Sequence, residues 1–426
     1  MGDVILYNEK KRYEERIKKI RFKVKKYMMV DEEDLDREFI FIVLQNLQKK
    51  RFKISAFSNF FYKKGMINNS FRTKENYAKI IVLFLNYIFF DKYDNYKLTN
   101  IEELQIKHGN EFLRDYSYGD IGQKNKTRDT VEKAEAILNK FYRYIYEEIK
   151  GLKYLNENEF YKSIRYGNGK HSRKKEGQIQ TLFSVMYPNY QPPQKLKHIP
   201  LDILIELIDV CGKYYPKLKL ALCLQAFGGL RAGEVCNVSL DKILIGYVGN
   251  EFSYFNVDLR YKTRMRTDFK RTGDIKKPRV QPIHPAFLSY FKKVYDQHLE
   301  LIKGENNHFG AIFLNRSGEA MTESSYNDYF KKIVMILIDR LSGTDNFYLV
   351  GQANILLSGR VNKHILRHFF TQHISEYVSN PNELAYWRGD SSLNSSITYL
   401  TQNPKIDEKI RVIQKEIYNK FSNNVE

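Results

Sequence analysis

The sequence predicts a mostly α protein of two domains, in which an α+β second domain adds one small antiparallel sheet to its helices. Three observations carry this expectation. Apolar residues recur at helical spacing from about 54 to 149; the periodicity fails between 151 and 195, where glycines, charges and a proline pair gather; and from 251 to 285 β-branched and aromatic residues alternate on both sides of basic turns. At 426 residues and 42% apolar content, the chain is long for one core and has enough apolar surface for two or three.

Taken in order, residues 1 to 50 open with the basic, helix-prone stretch EKKRYEERIKKIRFKVKKY, followed by the acidic DEEDLD and the apolar run FIFIVLQNL. This reads as one or two helices in a basic N-terminal extension. Residues 51 to 150 read as a helical module, with Gly65 and an Asn-Asn-Ser turn separating two amphipathic segments, and with Thr73 as a helix start. IEELQIKHGNEFLRDY and TRDTVEKAEAILNKFYRYIYEEI repeat the three-and-four spacing, and no strand-like alternation is read in the module. RYGNGKHSRKKEGQ and YPNYQPPQ mark residues 151 to 195 as a linker. Residues 196 to 403 form the second domain: two buried helices within 199 to 240, the small sheet, a helix from Ala286, and further helices from about 324. Residues 404 to 426 read as a terminal helix whose Ile406, Ile410, Ile413, Ile417 and Phe421 share one face, a stripe that requires a groove.

Charge narrows the function classes. Seventy Lys and Arg against fifty Asp and Glu leave a formal +20, with 32 Tyr and 28 Phe interleaved, which favours a polyanion, nucleic acid first among them. The longest apolar run, IIVLFLNYIFF, is about half the ~20 residues a membrane span needs, and no signal pattern precedes it, so the expected place is the cytoplasm, with no membrane partner. Cys211, Cys223 and Cys236 lack CxxC spacing and read as buried reduced thiols; no metal and no cofactor is expected.

Two short stretches carry chemistry. FGGLRAGEV places Arg231 one residue beyond a double glycine at the end of an apolar helix, with Glu234 three positions on, and HILRHFF places His364 and Arg367 one helical turn apart. Tyr399 follows in RGDSSLNSSITYL. Together these residues resemble the tyrosine recombinase, or phage integrase, family. GGLRAGE matches its Gly-Leu-Arg-x-x-Glu turn; His364, Leu366, Arg367 and His368 match His-x-Leu-Arg-His; and Gly389, Ser391 and Ser392 precede Tyr399 at the family's spacing. RTKENYAKIIVLFLNYI and KAEAILNKFYRYI look like its core-binding domain, so the resemblance covers about residues 55 to 403.

The resemblance implies a site-specific recombinase or integrase that acts on double-stranded DNA as a tetramer on two sites, with accessory directionality proteins, in association with the bacterial nucleoid. The residues suit that chemistry. Arg231 and Arg367 would present planar, permanently charged forks to the phosphate's non-bridging oxygens, where charge concentrates in the pentacoordinate transition state. Tyr399 would attack phosphorus to give a 3′-phosphotyrosine without metal or nucleotide. His364 would handle the phenolic proton, and Glu234 would orient a guanidinium from behind. The family's leaving-group lysine is best matched by Lys277, with Lys276 and Lys270 as competitors. One position departs from the pattern: Asp390 stands where the family has His or Trp, and Trp387 lies one helical turn earlier. A carboxylate beside a phosphate is expected either to have its pKa raised by like-charge repulsion or to turn toward a cation such as Arg388. A type IB topoisomerase-like enzyme and a relative that binds DNA without cutting it are the alternatives.

Overall fold

The computed structural model describes residues 19–30, 36–149, 151–166, 173–178, 181–191, 196–249, 251–268, 270–305, 307, 309–378 and 380–390. The chain divides into two compact units, Met1–Pro192 and Pro193–Glu426.

The described residues of the basic extension form mainly strands where helices are expected. Strands β1 (Ile20–Val30), β2 (Asp36–Asn46) and β3 (Phe52–Ile54) form an antiparallel sheet in that order. The reason is visible in IRFKVK, where Ile20, Phe22 and Val24 alternate with Arg21, Lys23 and Lys25; β-branched and aromatic residues at period two outweigh the helix preference of the lysines. Val24 pairs with Ile42 and Phe22 with Leu44, and this face, with Ile40, packs on the helical core. Beyond the reach of β3, the edge of β2 is covered by side chains: Ile42 N–H donates to Ser58 Oγ at 2.9 Å, and Tyr62 Oη donates to Ile40 O at 3.0 Å.

Helices α1 (Phe71–Asn86), α2 (Ile106–Tyr118) and α3 (Arg128–Glu148) are the long helices of this unit. The first begins two residues before the start expected at Thr73, because Ser70 is the cap, its Oγ accepting from Thr73 N–H at 3.2 Å. Phe61, Phe84, Phe112, Phe141 and Tyr142 are fully buried among these helices. The segment read as a linker is also partly structured. It holds the paired strands β4 (Tyr161–Tyr166) and β5 (Arg173–Gln178), and Phe183 packs edge-on against Tyr142 with ring centres 5.0 Å apart. RKKEGQ has no β-branched or aromatic residue, so the strand gave no signal.

The second unit is helical with one small sheet, as its texture predicts. Helices α4 (Leu201–Tyr214) and α5 (Lys219–Gly228) lead to a single turn, α6 (Ala232–Val235). Strands β6 (Ile243–Val248), β7 (Glu251–Asp258) and β8 (Val280–Pro282) form an antiparallel sheet in that order. Five helices follow: α7 (Leu288–Ile302), α8 (Glu323–Ser342), α9 (Phe347–Ser358), α10 (His364–Ser375) and α11 (Pro381–Arg388). Their core gathers Leu207, Leu224, Phe255, Phe291, Phe330 and Leu366. Among the described residues no helix is long and apolar enough to cross a membrane. The stripe expected in residues 404 to 426, and Tyr399, lie outside the described residues.

Candidate active site

The site begins at the end of α5. Every residue of this helix from Leu220 on is buried, and it stops at Gly229, whose φ of +64° is left-handed. A side chain at Gly229 would meet the Phe370 ring at 2.5 Å, so the glycine serves both the turn and the close approach of α10. Leu230 N–H bonds back to Leu224 O at 3.3 Å, and buried Gln225 donates to Leu230 O at 3.2 Å, fixing the turn from inside. The chain emerges at Arg231, the N-cap of α6.

Glu234, completely buried, receives the Arg231 backbone N–H at 2.8 Å on one oxygen and Arg231 Nη1 at 3.0 Å on the other. It also takes both arms of Arg279, at 3.0 and 2.9 Å. Burial alone raises its pKa, but the hydrogen bonds and charge of Arg279, with the charge of Arg231, outweigh that and leave it below the ordinary carboxylate value. The orienting role expected of Glu234 thus extends to a second arginine. Arg279 immediately precedes β8; its Nε donates to Gln281 Oε1 at 2.5 Å, and Gln281 Nε2 donates to Trp387 O at 2.7 Å, tying the strand to the end of α11.

On α10, Arg367 sits among Ile365, Leu366, Phe369 and Phe370, all buried with it. Its Nη1 donates to Gly229 O, and its Nη2 to Arg388 O at 2.7 Å. Burial first, then the like charge of Arg231, lowers its pKa to about 9, still charged at neutral pH. His364 begins the same helix but is exposed. Desolvation of its ring and the neighbouring Lys363, Arg367 and Lys276 lower its pKa against the opposing pull of Glu323, which favours the neutral imidazole. His368 is half-buried, with its pKa lowered to about 4 chiefly by burial.

These pieces meet at Asp390. Helix α11 ends at Gly389 with φ +60°, where a Cβ would fall 1.9 Å from Arg279 Nε, and Asp390 follows with its N–H on Ala385 O at 3.0 Å. Asp390 Oδ1 accepts from Arg231 Nη2 at 2.8 Å and from Arg367 Nη2 at 2.9 Å. Its Oδ2 lies 3.1 Å from Arg388 Nη2. The expected turn toward Arg388 is present, and two further guanidiniums share the carboxylate. Lys277 Nζ donates to the Asp390 carbonyl at 2.7 Å, whereas Lys270 is exposed and pairs with Asp268 at 3.3 Å. The Trp387 ring packs against His284, centres 4.9 Å apart.

The loop that delivers Lys277 is anchored on α6. A Cβ on Gly273 would lie 2.4 Å from Gly233 Cα, so two backbones touch there without side chains between them. Thr272 Oγ1 donates to Asn237 Oδ1 at 2.7 Å, and Asn237 Nδ2 donates to Gly233 O at 2.6 Å.

Five of the six residues selected from the sequence lie in the described structure. Arg231, Arg367, Asp390 and Lys277 form one connected cluster, His364 shares α10 with Arg367, and Tyr399 falls outside the described residues. Sequence reading named Arg388 as the cation for Asp390 but missed Arg279. The available signal was position: Arg279 stands two residues after Lys277, itself a selected residue. Among the described residues no group of His, Cys, Asp and Glu could hold a metal ion, and Cys211, Cys223 and Cys236 are buried free thiols with raised pKa values. A groove of about 890 Å³ beside α4 and α7, lined by Lys213, Pro216, Val294 and Leu301, shares no residue with the arginine cluster.

No family model and no curated protein matches the chain. Solved structures do. The chain is similar to XerH site-specific recombinase bound to difH substrate, with a TM-score of 0.49 and 15% identity over 77% of this chain and 76% of that one. It is similar to the Tn1549 transposon integrase in complex with a circular intermediate DNA (TM-score 0.48, 16% identity, 84% and 98% covered). A lambda integrase dimer bound to a COC′ core site gives a TM-score of 0.44 at 14% identity, over 78% and 89%. These solved structures are of recombinases and integrases.

Proposed function

We propose that this chain is a DNA strand transferase of the tyrosine recombinase type, which cuts and rejoins duplex DNA at specific sites through Tyr399 to integrate, excise or transpose a mobile element. One observation carries the reading. Two guanidiniums from different helical turns, Arg231 and Arg367, converge on a single anionic oxygen at 2.8 and 2.9 Å, with the Lys277 ammonium on the backbone of the same residue. Forks aimed at one point are what a phosphodiester's non-bridging oxygens require.

In this reading Arg231 and Arg367 grip the scissile phosphate while Glu234 and Arg279 hold the first fork from behind. The phenol oxygen of Tyr399 forms the new bond to phosphorus as the bond to the 5′ oxygen breaks. Neutral His364 accepts the phenolic proton, and the Lys277 ammonium donates one to the departing oxygen, so the charge on phosphorus is relieved from both sides. The net +20 suits a double-stranded DNA partner. Four copies on two sites are the proposed assembly, with residues 404 to 426 docking on a neighbour. Deletion of residues 405 to 426 is then expected to spare DNA binding by single copies and weaken assembly; unchanged assembly would refute the docking.

The test is a nicked suicide substrate incubated in chelator without nucleotide. Protein is expected on a 3′ end with a free 5′ hydroxyl, and Tyr399→Phe is expected to bind DNA and trap nothing. Adduct formation by that variant, or a strict need for divalent metal, would overturn the assignment. The carboxylate between the arginines favours a second reading, a relative that binds DNA without cutting it. Under that reading the unaltered chain binds the nicked substrate and never becomes attached to it.

A further inference from the structure

We infer that Asp390 is a built-in competitor for the phosphate: its carboxylate fills the anion position between Arg231 and Arg367 and must be displaced before DNA is cut. This deepens the proposed phosphate grip and rests on it. Asp390 Oδ1 takes one arm of each arginine, at 2.8 and 2.9 Å, leaving its side chain only 10% exposed. A carboxylate oxygen and a non-bridging phosphate oxygen ask for the same donors in the same geometry, and two anions cannot share them without strong repulsion. One must leave.

The geometry shows how the carboxylate can. The backbone of Asp390 is held twice, by its N–H on Ala385 O at 3.0 Å and by Lys277 Nζ on its carbonyl at 2.7 Å. Rotation about its side-chain bonds therefore moves the carboxylate while the backbone stays. The second oxygen is on a third arginine, Arg388, at 3.1 Å, which can keep the carboxylate after Oδ1 has let go. Until then Asp390 holds the forks of Arg231 and Arg367 on a common point, which pre-positions them at a cost in affinity for phosphate. A lone phosphate is held weakly; a phosphate embedded in duplex DNA brings the contacts that displace the carboxylate. Asp390 is thus a positioning residue, in contact with the arginines and competing with substrate.

The probe is inorganic phosphate, titrated calorimetrically into the full chain and its variants. Asp390→Asn keeps the shape and removes the charge, and is expected to bind phosphate at least about tenfold more tightly, with a matching gain in DNA affinity. Asp390→Glu keeps the charge and is expected to show no such gain. A residue with a purely structural role gives the opposite result, because Asp390→Asn would then loosen the arginines and weaken phosphate binding. Asp390→Asn that folds normally and binds phosphate no more tightly overturns the inference. Should that variant fail to fold, the carboxyl carbon-13 resonance of Asp390 in the unaltered chain decides: it is expected to move at saturating phosphate, and a resonance that stays in place while phosphate binds overturns the inference. The two readings separate cleanly. A gain in phosphate affinity without any Tyr399 adduct leaves the competitor standing and removes the strand-transfer reading.

Discussion

The sheets β1–β2–β3 and β6–β7–β8 have the same number of strands and the same antiparallel order, yet they serve the molecule differently. The first has two strands of 11 residues and lays Phe22, Ile40 and Ile42 on a helical core. In the second, β8 is only three residues long and pairs through three positions, but Arg279 and Gln281 at this short edge reach Glu234 and the end of α11. Each sheet has an edge strand paired through three positions, but β3 is exposed along its length, whereas the side chains at β8 turn inward and build the arginine cluster.

The largest expected effect tests the site end of this comparison. Lys277→Ala is expected to slow single-turnover cleavage by about 10²–10⁴-fold, the usual worth of a general acid, and a substrate whose bridging 5′ oxygen is replaced by sulfur should restore most of the rate, because a thiolate leaves without protonation. Lys270→Ala is expected to change little, since that ammonium is exposed and paired with Asp268. Equal slowing on both substrates would remove Lys277 from the acid's role.

Next in size is the carboxylate behind the site. Glu234→Ala leaves Arg231 and Arg279 without the buried charge that both engage, and is expected to cost about 3–5 kcal/mol in urea unfolding. The sign with pH follows from its lowered pKa. A depressed folded-state pKa stabilises above the unfolded value, about 4.3, and that contribution is lost as pH falls toward the folded value, so the gap between this variant and the unaltered chain should narrow in acid. A gap that widens below pH 4 would contradict the pairing.

The first sheet supplies the smaller effects. Ile42→Ala, at a fully buried position, is expected to destabilise the first unit by about 2–4 kcal/mol, while the rate of adduct formation from bound DNA stays as it was. Phe52→Ala, 41% exposed on β3, is expected to stay within about 0.5 kcal/mol. A loss of cleavage rate in either variant would mean that this sheet contributes to the chemistry after all.

The sequence shows the second unit more clearly than the first, for physical reasons. Two apolar helices followed by alternating strands have distinct periods, and the motifs around Arg231 and Arg367 mark positions that the fold brings together on Asp390. In the first unit, lysines and arginines alternate with Ile20, Phe22 and Val24, and a basic residue is compatible with helix and strand alike. The strand RKKEGQ has no apolar face to announce it. Within the site, Asp390 was legible as an exception but not as a bridge, because its partners lie 159 and 23 residues away along the chain. Arg279 was illegible for a related reason: an arginine in a chain of +20 charge has no distinction until the fold buries it against a carboxylate.

The contact of Gly273 on Gly233 has a consequence for tolerance. Side chains adjust by changing rotamers, so parts joined through them carry slack; two backbones in direct touch have none. Gly233 lies two residues from Arg231, and Gly273 four from Lys277. Arg231 and Lys277, the proposed phosphate grip and proton donor, are therefore gauged against each other by a joint with no adjustable member, and a drift of one element is passed to the other instead of opening a gap between them. A single added methyl at either glycine would act as a shim, shifting the spacing of the two groups while leaving both chemically intact.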